Sequence, residues 1–153
     1  MRAQITNFKL VVSDLDRSLA FYSVFGLKEA VRLEFADPDV TEALLEDATG
    51  TRGLVLLHGD VMPVPSASPG WAPLVVNVDD IDAARKEIRD AGFDLAVEPL
   101  SLGAVNICMV ADPDGYLVEI VSGNTDTLDG IPTGQKIPHP IPHIHQRGNT
   151  HTE

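Results

Sequence analysis

Residues 7 to 12 alternate with the two-residue period of a β-strand that has a different kind of side chain on each face. One face consists of Phe8, Leu10 and Val12, and the other consists of Asn7, Lys9 and Val11. The period then changes to that of an amphipathic helix, with apolar residues at i, i+4 and i+7. These residues are Leu15, Leu19 and Tyr22. The pattern predicts a strand that is followed directly by a helix.

The same pattern begins again 66 residues later, where Val76, Asp80 and Gly92 take the places of Leu10, Asp14 and Gly26. The two aspartates stand at predicted helix N-caps, where a side-chain oxygen accepts backbone N–H groups. The two glycines stand where a left-handed residue ends a helix. The second helical stripe consists of Ile81, Ala84 and Ile88. One structural unit is therefore predicted to occur twice.

Further strands are predicted near residues 28–35, 42–47, 53–58, 93–98, 104–111 and 116–122. Asp112-Pro113-Asp114-Gly115 reads as a four-residue turn between the last two strands. The predicted fold class is α+β, with one strand–helix–three-strand unit at 1–58 and a second at 73–122. Residues 59–72 form a Pro/Gly-rich linker, and residues 123–153 form a Pro- and His-rich tail, either disordered or extended along the body or a partner subunit.

The chain of 153 residues has a net charge of −12, which argues against partners that are nucleic acids or anionic membranes. It suits a small ligand that is neutral or cationic. The N-terminus shows no secretory signal, and the single cysteine, Cys108, cannot form an internal disulfide. We therefore expect a cytoplasmic protein. Residues 34–47 hold six acids and no base, which is typical of a solvated edge.

The segment VSDLDRSLAFY in the first unit and DPDGYLVEI at the end of the second resemble the vicinal oxygen chelate superfamily. This group includes glyoxalases, bleomycin resistance proteins and extradiol dioxygenases, and the resemblance covers about residues 5 to 122. It implies two βαβββ repeats that form a cupped mixed sheet around a ligand cavity. It also implies a homodimer, since cups in this group are often completed across subunits. A shared fold hosts many chemistries, so the function depends on the site residues.

Metal-dependent members of that superfamily generally use two histidines and two carboxylates. By this resemblance the histidine positions fall at Asn7 and Pro73, and one carboxylate position falls near Leu56. Of these positions, only Glu119 has the kind of side chain that the superfamily uses to bind a metal ion. A divalent ion needs three or more good donors in fixed geometry, so we expect no cofactor at this site. The alternative is a divalent metal ion held by Glu119 with His58.

The predicted hairpin places Cys108 opposite Glu119, and directly opposed residues share one face of a sheet. Residues two positions away along each strand then face the same cavity. The predicted ligand-binding residues are Asn7, Lys9, His58, Trp71, Asn77, Asn106, Cys108 and Glu119.

Glu119 is the candidate catalytic residue, and several roles are open to it. It is a surviving metal ligand, a general base in an apolar cup, a hydrogen-bond acceptor for a ligand, or a carboxylate neutralised by Lys9. Cys108 is more typical of a small buried hydrophobe than of a nucleophile. The prolines around the tail histidines favour extended chain rather than a metal site. Those histidines are His139, His143, His145 and His151.

Three functions follow from this set of residues. The first is a small-molecule-binding protein with a degenerate metal site, similar in layout to proteins that confer antibiotic resistance by sequestering a drug, or one that sequesters a metabolite. The second is a metal-independent isomerase, cyclase or lyase that uses Glu119 as its general base. The third is a metal-dependent glyoxalase-like lyase or dioxygenase with displaced ligands, which His58 or the tail histidines would supply.

Overall fold

The computed structural model describes residues 6–59, 74–102 and 105–123. Their elements, in chain order, are β1 (Phe8–Val11), α1 (Leu15–Ser23), β2 (Lys28–Phe35), β3 (Val40–Glu46), β4 (Leu54–Gly59), β5 (Leu74–Asn77), α2 (Ile81–Asp90), β6 (Leu95–Leu102), β7 (Val105–Ala111) and β8 (Leu117–Gly123). The order β-α-β-β-β occurs twice, which confirms the predicted repeat. No described helix has the length and apolar character needed to cross a membrane.

Each repeat forms its own four-stranded mixed sheet. The strand order is β1-β4-β3-β2 in the first sheet and β5-β8-β7-β6 in the second. In both sheets the first strand runs parallel to the last one, and the other pairs are antiparallel. The chain divides into two compact units, and the described residues Asp112–Gly115 belong with the first unit. The predicted α+β fold class is confirmed, whereas the predicted linker and tail lie almost entirely outside the described residues.

Both helices begin at the predicted N-caps, and α2 ends as predicted, with Gly92 directly after its C-cap Ala91. The C-cap of α1 is Val24, so Gly26 lies one residue beyond its predicted position. Asp14 accepts a hydrogen bond from the backbone N–H of Arg17, and Asp80 accepts bonds from the two N–H groups at residues 82 and 83. Gly26 and Gly92 follow the helix ends with φ of 74° and 87°, the left-handed region that a residue without Cβ adopts readily. Each helix is therefore bounded by local chemistry that the sequence displays.

One face of each sheet packs against the helix of its own unit. In the first unit this face is buried, and its members are Leu10, Val12, Ala43, Leu45, Leu54 and Leu56. The corresponding residues of the second unit are Cys108, Val110, Val118 and Ile120, each without solvent exposure. We call the opposite side of each sheet its helix-free face. The helix-free face of the second sheet carries Glu119.

The turn between β7 and β8 is one residue longer than predicted. Ala111 pairs with Leu117 rather than with Tyr116, so residues 112–116 all lie in the loop. The backbone N–H of Gly115 donates to the carbonyl of Asp112 at 2.9 Å, which closes the predicted turn inside that loop. Because side chains alternate along a strand, this shift of one residue moves every predicted cross-strand neighbour on β7 to the other face.

Side chains of this loop are anchored within the first unit. The buried carboxylate of Asp112 accepts a hydrogen bond from the Tyr22 hydroxyl at 2.9 Å. Asp114 accepts bonds from both the backbone N–H and the hydroxyl of Ser13. Tyr22 is fully buried on α1, which confirms its prediction as a core residue. The acidic turn thus has a structural function that its sequence alone does not reveal.

Candidate functional site

Glu119 lies in the middle of β8, on the helix-free face of the second sheet. Its direct neighbours across the sheet are Val75 on β5 and Met109 on β7. Along β8 its neighbours on the same face are Leu117 and Val121, both buried. The carboxylate is therefore surrounded by apolar side chains on all four sides within its sheet.

The carboxyl group of Glu119 is partly buried and has no hydrogen-bond or salt-bridge partner among the described residues. Burial raises its pKa above the ordinary value for glutamate, because the charged form loses hydration without gaining a partner. A ligand that donates a hydrogen bond or carries a positive charge would supply the missing interaction.

The structure brings Asn77 to the same face as Glu119 but places Cys108 and Asn106 on the opposite one. Asn77 pairs with Val121, and Met109, rather than Cys108, pairs with Glu119. The prediction that Cys108 and Asn106 share a cavity with Glu119 is therefore wrong. Its cause is the longer hairpin loop, which shifts the register by one residue.

Cys108 is fully buried between the second sheet and α2. Burial raises the pKa of its thiol to about 11, and the nearby charge of Glu98 acts in the same direction. Such a thiol carries almost no thiolate near neutral pH and is a poor nucleophile. The structure thus agrees with its interpretation as a small core residue.

Asn7 and Lys9 lie on the exposed side of the first unit, and Asn7 precedes β1. The ammonium of Lys9 lies 2.6 Å from the carboxylate of Glu42 on β3. Lys9 therefore has a partner in its own sheet, and the alternative in which it neutralises Glu119 stays a prediction. Sequence reasoning missed Glu42, which it placed in the acidic edge. The sequence does not display the register of β3 against β4. That register places Glu42 opposite Leu57 on β4, the strand that pairs with the strand of Lys9.

His58 faces the helix side of the first sheet and not the side of Lys9. Its Nδ1 lies 3.0 Å from the backbone carbonyl of Val12. Leu56, two residues earlier, is fully buried against the helix. Lys9 pairs with Val55, so Lys9, Val55 and Leu57 lie on one face of the sheet. Leu56 and His58 lie on the other face, and the prediction that they face the cavity is therefore wrong. His58 instead lines a cleft of about 350 Å³ beside the start of α1.

The remaining predicted positions lie outside the described residues. Trp71 and Pro73 belong to the segment 60–73, and the tail histidines belong to 124–153. Their predicted roles at the cavity mouth, at the former metal position and in a metal-binding tail stay predictions.

The donor set does not fit the family's divalent metal site. Asn7 offers a neutral amide, and the strand of the expected carboxylate presents Val55 and Leu57 to the helix-free face. Pro73 has no side-chain donor, so Glu119 is the single carboxylate in these positions. Among residues 6–59, 74–102 and 105–123, no three His, Cys, Asp or Glu side chains are grouped closely enough to hold a metal. Fewer than three strong donors hold a divalent ion only weakly.

Comparison with known proteins gives consistent results for sequence and fold. The sequence model of the Glyoxalase/Bleomycin resistance protein/Dioxygenase superfamily matches residues 4–120. A lactoylglutathione lyase of Haemophilus influenzae is 31% identical over 133 residues, which cover 84% of this chain and 98% of that protein. A glyoxalase family protein from Bacillus cereus has a TM-score of 0.69 at 18% identity, over 80% of this chain and 95% of that one. Glyoxalase I of Leishmania major has a TM-score of 0.68 at 21% identity, over 84% and 91%.

Proposed function

The chain belongs to the Glyoxalase/Bleomycin resistance protein/Dioxygenase superfamily, and on that premise we propose that it binds a small molecule through Glu119 without a metal ion. The binding surface is the helix-free face of the second sheet. Binding leaves the compound chemically unchanged, so the protein acts by sequestering a drug or metabolite.

The observation that carries this proposal is the unpartnered carboxyl group of Glu119 on an apolar surface. Apolar contacts supply most of the affinity in small-molecule sites, and a few polar groups fix the orientation. Met109 and Val121 are buried beside Glu119 and offer the apolar part. Glu119 offers one carboxyl group, which accepts hydrogen bonds when it is ionised and both donates and accepts them when it is protonated. No other site feature of the second sheet combines these two properties among its described residues.

The same environment limits the class of ligand. A carboxyl group without a compensating cation repels anions, and the chain has a net charge of −12. The ligand is therefore a neutral hydrogen-bond donor or an organic cation that has an apolar part to pack on Met109 and Val121. A thiolate- or phosphate-bearing compound does not fit this face.

Calorimetric titration of chelator-treated protein with zinc, nickel, manganese and iron(II) salts tests the metal-free part of the proposal. We expect no stoichiometric binding that depends on Glu119, because the family positions supply one carboxylate and no histidine. Glu119→Gln and Glu87→Gln form a matched pair, since Glu87 is an exposed glutamate on α2. Tight binding of one ion per chain that Glu119→Gln abolishes and Glu87→Gln preserves would contradict the proposal.

The raised pKa of Glu119 also favours a second function, a metal-independent isomerase, cyclase or lyase with Glu119 as general base. A base works best when its pKa approaches the operating pH, and a raised carboxyl pKa moves in that direction. Incubating the protein with the compound that copurifies with it distinguishes the two functions. Conversion of that compound by the wild type and not by Glu119→Gln would establish the enzyme, whereas recovery of the unchanged compound supports sequestration.

A further inference from the structure

Strand β7 does not determine by its own sequence which of its faces packs against α2. Five of its seven residues are buried, and these five belong to both faces of the strand. The face that contains Ile107 and Met109 is entirely apolar, yet it is turned away from the helix, while the face with Asn106 and Cys108 is turned toward it. A register is weakly specified when a strand can bury either face. The register of β7 therefore depends on residues outside the strand.

The length of the loop between β7 and β8 decides that register. The local sequence Asp112-Pro113-Asp114-Gly115 suits a turn of four residues, which would pair Ala111 with Tyr116. The observed loop has five residues, 112–116, and pairs Ala111 with Leu117. We call these two arrangements the four-residue register and the five-residue register. Because they differ by one residue, they turn opposite faces of β7 toward α2.

Two side chains outside the hairpin hold its loop. The buried hydroxyl of Tyr22 donates to Oδ2 of Asp112 at 2.9 Å, and Oδ1 of Asp112 accepts the backbone N–H of Asp114 at 3.0 Å. Asp114 also accepts both the backbone N–H and the hydroxyl of Ser13. Hydrogen bonds to an ionised carboxylate are stronger than those between neutral groups. Tyr22 and Ser13 thus anchor both carboxylates of the loop, and we call them the loop anchors.

We propose that the loop anchors, Tyr22 and Ser13, are positioning residues for the site at Glu119, because they select the five-residue register. In this register Met109 lies directly opposite Glu119 and Cys108 lies in the core. In the four-residue register Cys108 lies opposite Glu119 and Met109 faces α2. The part of this inference that concerns the ligand rests on the proposed function, whereas the selection of the register does not.

β7 is the strand that turns over when the register changes. On its other side β8 forms a parallel ladder with all four residues of β5, and Val75 of β5 pairs with Glu119. The ladder between β7 and β6 is less regular, since its register shifts on both sides of Val97, and β6 is an outer strand of the sheet. β8 therefore keeps Glu119 on the helix-free face, and the register of β7 determines which side chain lies beside it.

Disulfide trapping in the full chain distinguishes the two registers. Directly opposed antiparallel residues have Cα atoms about 4.5 to 5.5 Å apart, within the range of a disulfide. Glu119→Cys together with the native Cys108 reports the four-residue register. Met109→Cys together with Glu119→Cys, in a Cys108→Ser background, reports the five-residue register. With both loop anchors intact, we expect the second pair alone to crosslink under mild oxidation.

Tyr22→Phe and Ser13→Ala test the loop anchors. Loss of a hydrogen bond to a carboxylate changes an equilibrium by about tenfold or more, so either substitution should speed crosslinking of the Cys108 pair at least about tenfold. Asp14→Ala is the matched control, because it removes the N-cap of the same helix and neither loop anchor. Circular dichroism checks that each variant is folded, and Ser13 is exposed, so Ser13→Ala gives the test even where Tyr22→Phe does not fold.

Two results of the crosslinking would overturn the proposal. One is a Cys108 pair that stays uncrosslinked in both anchor variants. The other is equal acceleration of both cysteine pairs, or acceleration by Asp14→Ala as well, since either would indicate general loosening of the fold and no selection between registers.

Native mass spectrometry with Glu119 intact measures the consequence for the ligand. We expect Tyr22→Phe and Ser13→Ala to lower the fraction of chains that carry the copurified organic molecule at least about threefold, and Asp14→Ala to leave it unchanged. Full retention of that molecule in both anchor variants would overturn the positioning role. A wild type that carries no organic molecule, together with the expected crosslinking, would contradict the proposed function and support the selection of the register.

Discussion

At the scale of single residues, the property that matters most is the cost of charging Glu119. Ionised carboxylates in proteins are normally stabilised by a cation, by N–H donors or by water. Glu119 is partly buried and has none of the protein partners among the described residues, so burial alone raises its pKa. Lys9 shows the contrasting case, because its ammonium contacts Glu42 within the same sheet. An uncompensated group of this kind makes binding of a complementary ligand favourable.

Glu119→Gln should stabilise the unliganded protein, and the gain should depend on pH. A raised carboxyl pKa means that the folded state binds its proton more tightly than the unfolded chain does. The stabilisation that comes from protonated Glu119 is fully present below the ordinary glutamate pKa. It is lost as the pH rises through the raised pKa of the folded state. Thermal unfolding should show a Tm about 2 °C higher than that of the wild type at pH 8 and no difference near pH 4.

The control for that measurement is Glu87→Gln, which changes an exposed carboxylate on α2. Its effect on the Tm should be small at both pH values. A stabilisation that persists unchanged at pH 4 would show that the gain does not come from the charge of Glu119.

Cys108 should react very slowly with a thiol reagent such as Ellman's reagent at pH 8. Its side chain is fully buried, and burial raises the pKa of the thiol to about 11. Reaction should reach one thiol per chain only after denaturant is added, since the sequence has one cysteine. Fast reaction in the native protein would show that the thiol is accessible and would reopen its role at the ligand site.

At the scale of elements, local patterns predicted the helices well, and the hairpin poorly. The N-caps at Asp14 and Asp80 act within three residues of their own position, so the sequence displays both partners of each bond. The register of β7 against β8 depends instead on the loop, where Tyr22 on α1 anchors Asp112 and Ser13, just before the N-cap of α1, anchors Asp114. That long-range contact has no local signature, and the one-residue difference reversed the predicted face of Cys108.

Asp80→Ala should lower the free energy of unfolding by about 1 kcal/mol, the typical cost of removing an N-cap side chain. The carboxylate of Asp80 accepts the backbone N–H groups of residues 82 and 83, which lie at the start of α2. Urea denaturation followed by circular dichroism measures the change. Asp79→Ala is the matched control, because the carboxylate of Asp79 is exposed and the N-cap of α2 is Asp80. Equal effects of the two substitutions would contradict the assignment of the cap.

At the scale of the whole molecule, the fold could be predicted because the pattern of one strand–helix–three-strand unit occurs twice in the sequence. Two weak patterns at a fixed offset, with matching caps at Asp14 and Asp80, support each other in a way that one copy would not. The site could be predicted only in part. Glu119 lies inside a well-defined strand, but the faces of Leu56 and His58 depended on the parallel pairing of β1 with β4, which the sequence does not display.

The protein should show no lactoylglutathione lyase activity, although the relative with that name in Haemophilus influenzae is 31% identical. The family's metal positions here hold one carboxylate, an amide, a proline and apolar side chains. Assays with added nickel or zinc should match the rate without enzyme. Activity that rises with added metal and disappears in Glu119→Gln would show that other residues complete a metal site.

Native mass spectrometry of the protein as purified tests the central claim most directly. We predict that the wild type carries a bound organic molecule, that this molecule remains after dialysis against a chelator, and that Glu119→Gln loses it while Glu87→Gln retains it. The bound mass should be that of a neutral or cationic compound. A bound mass equal to that of a metal ion, removed by the chelator and dependent on Glu119, would contradict the proposal that this chain binds its ligand without a metal.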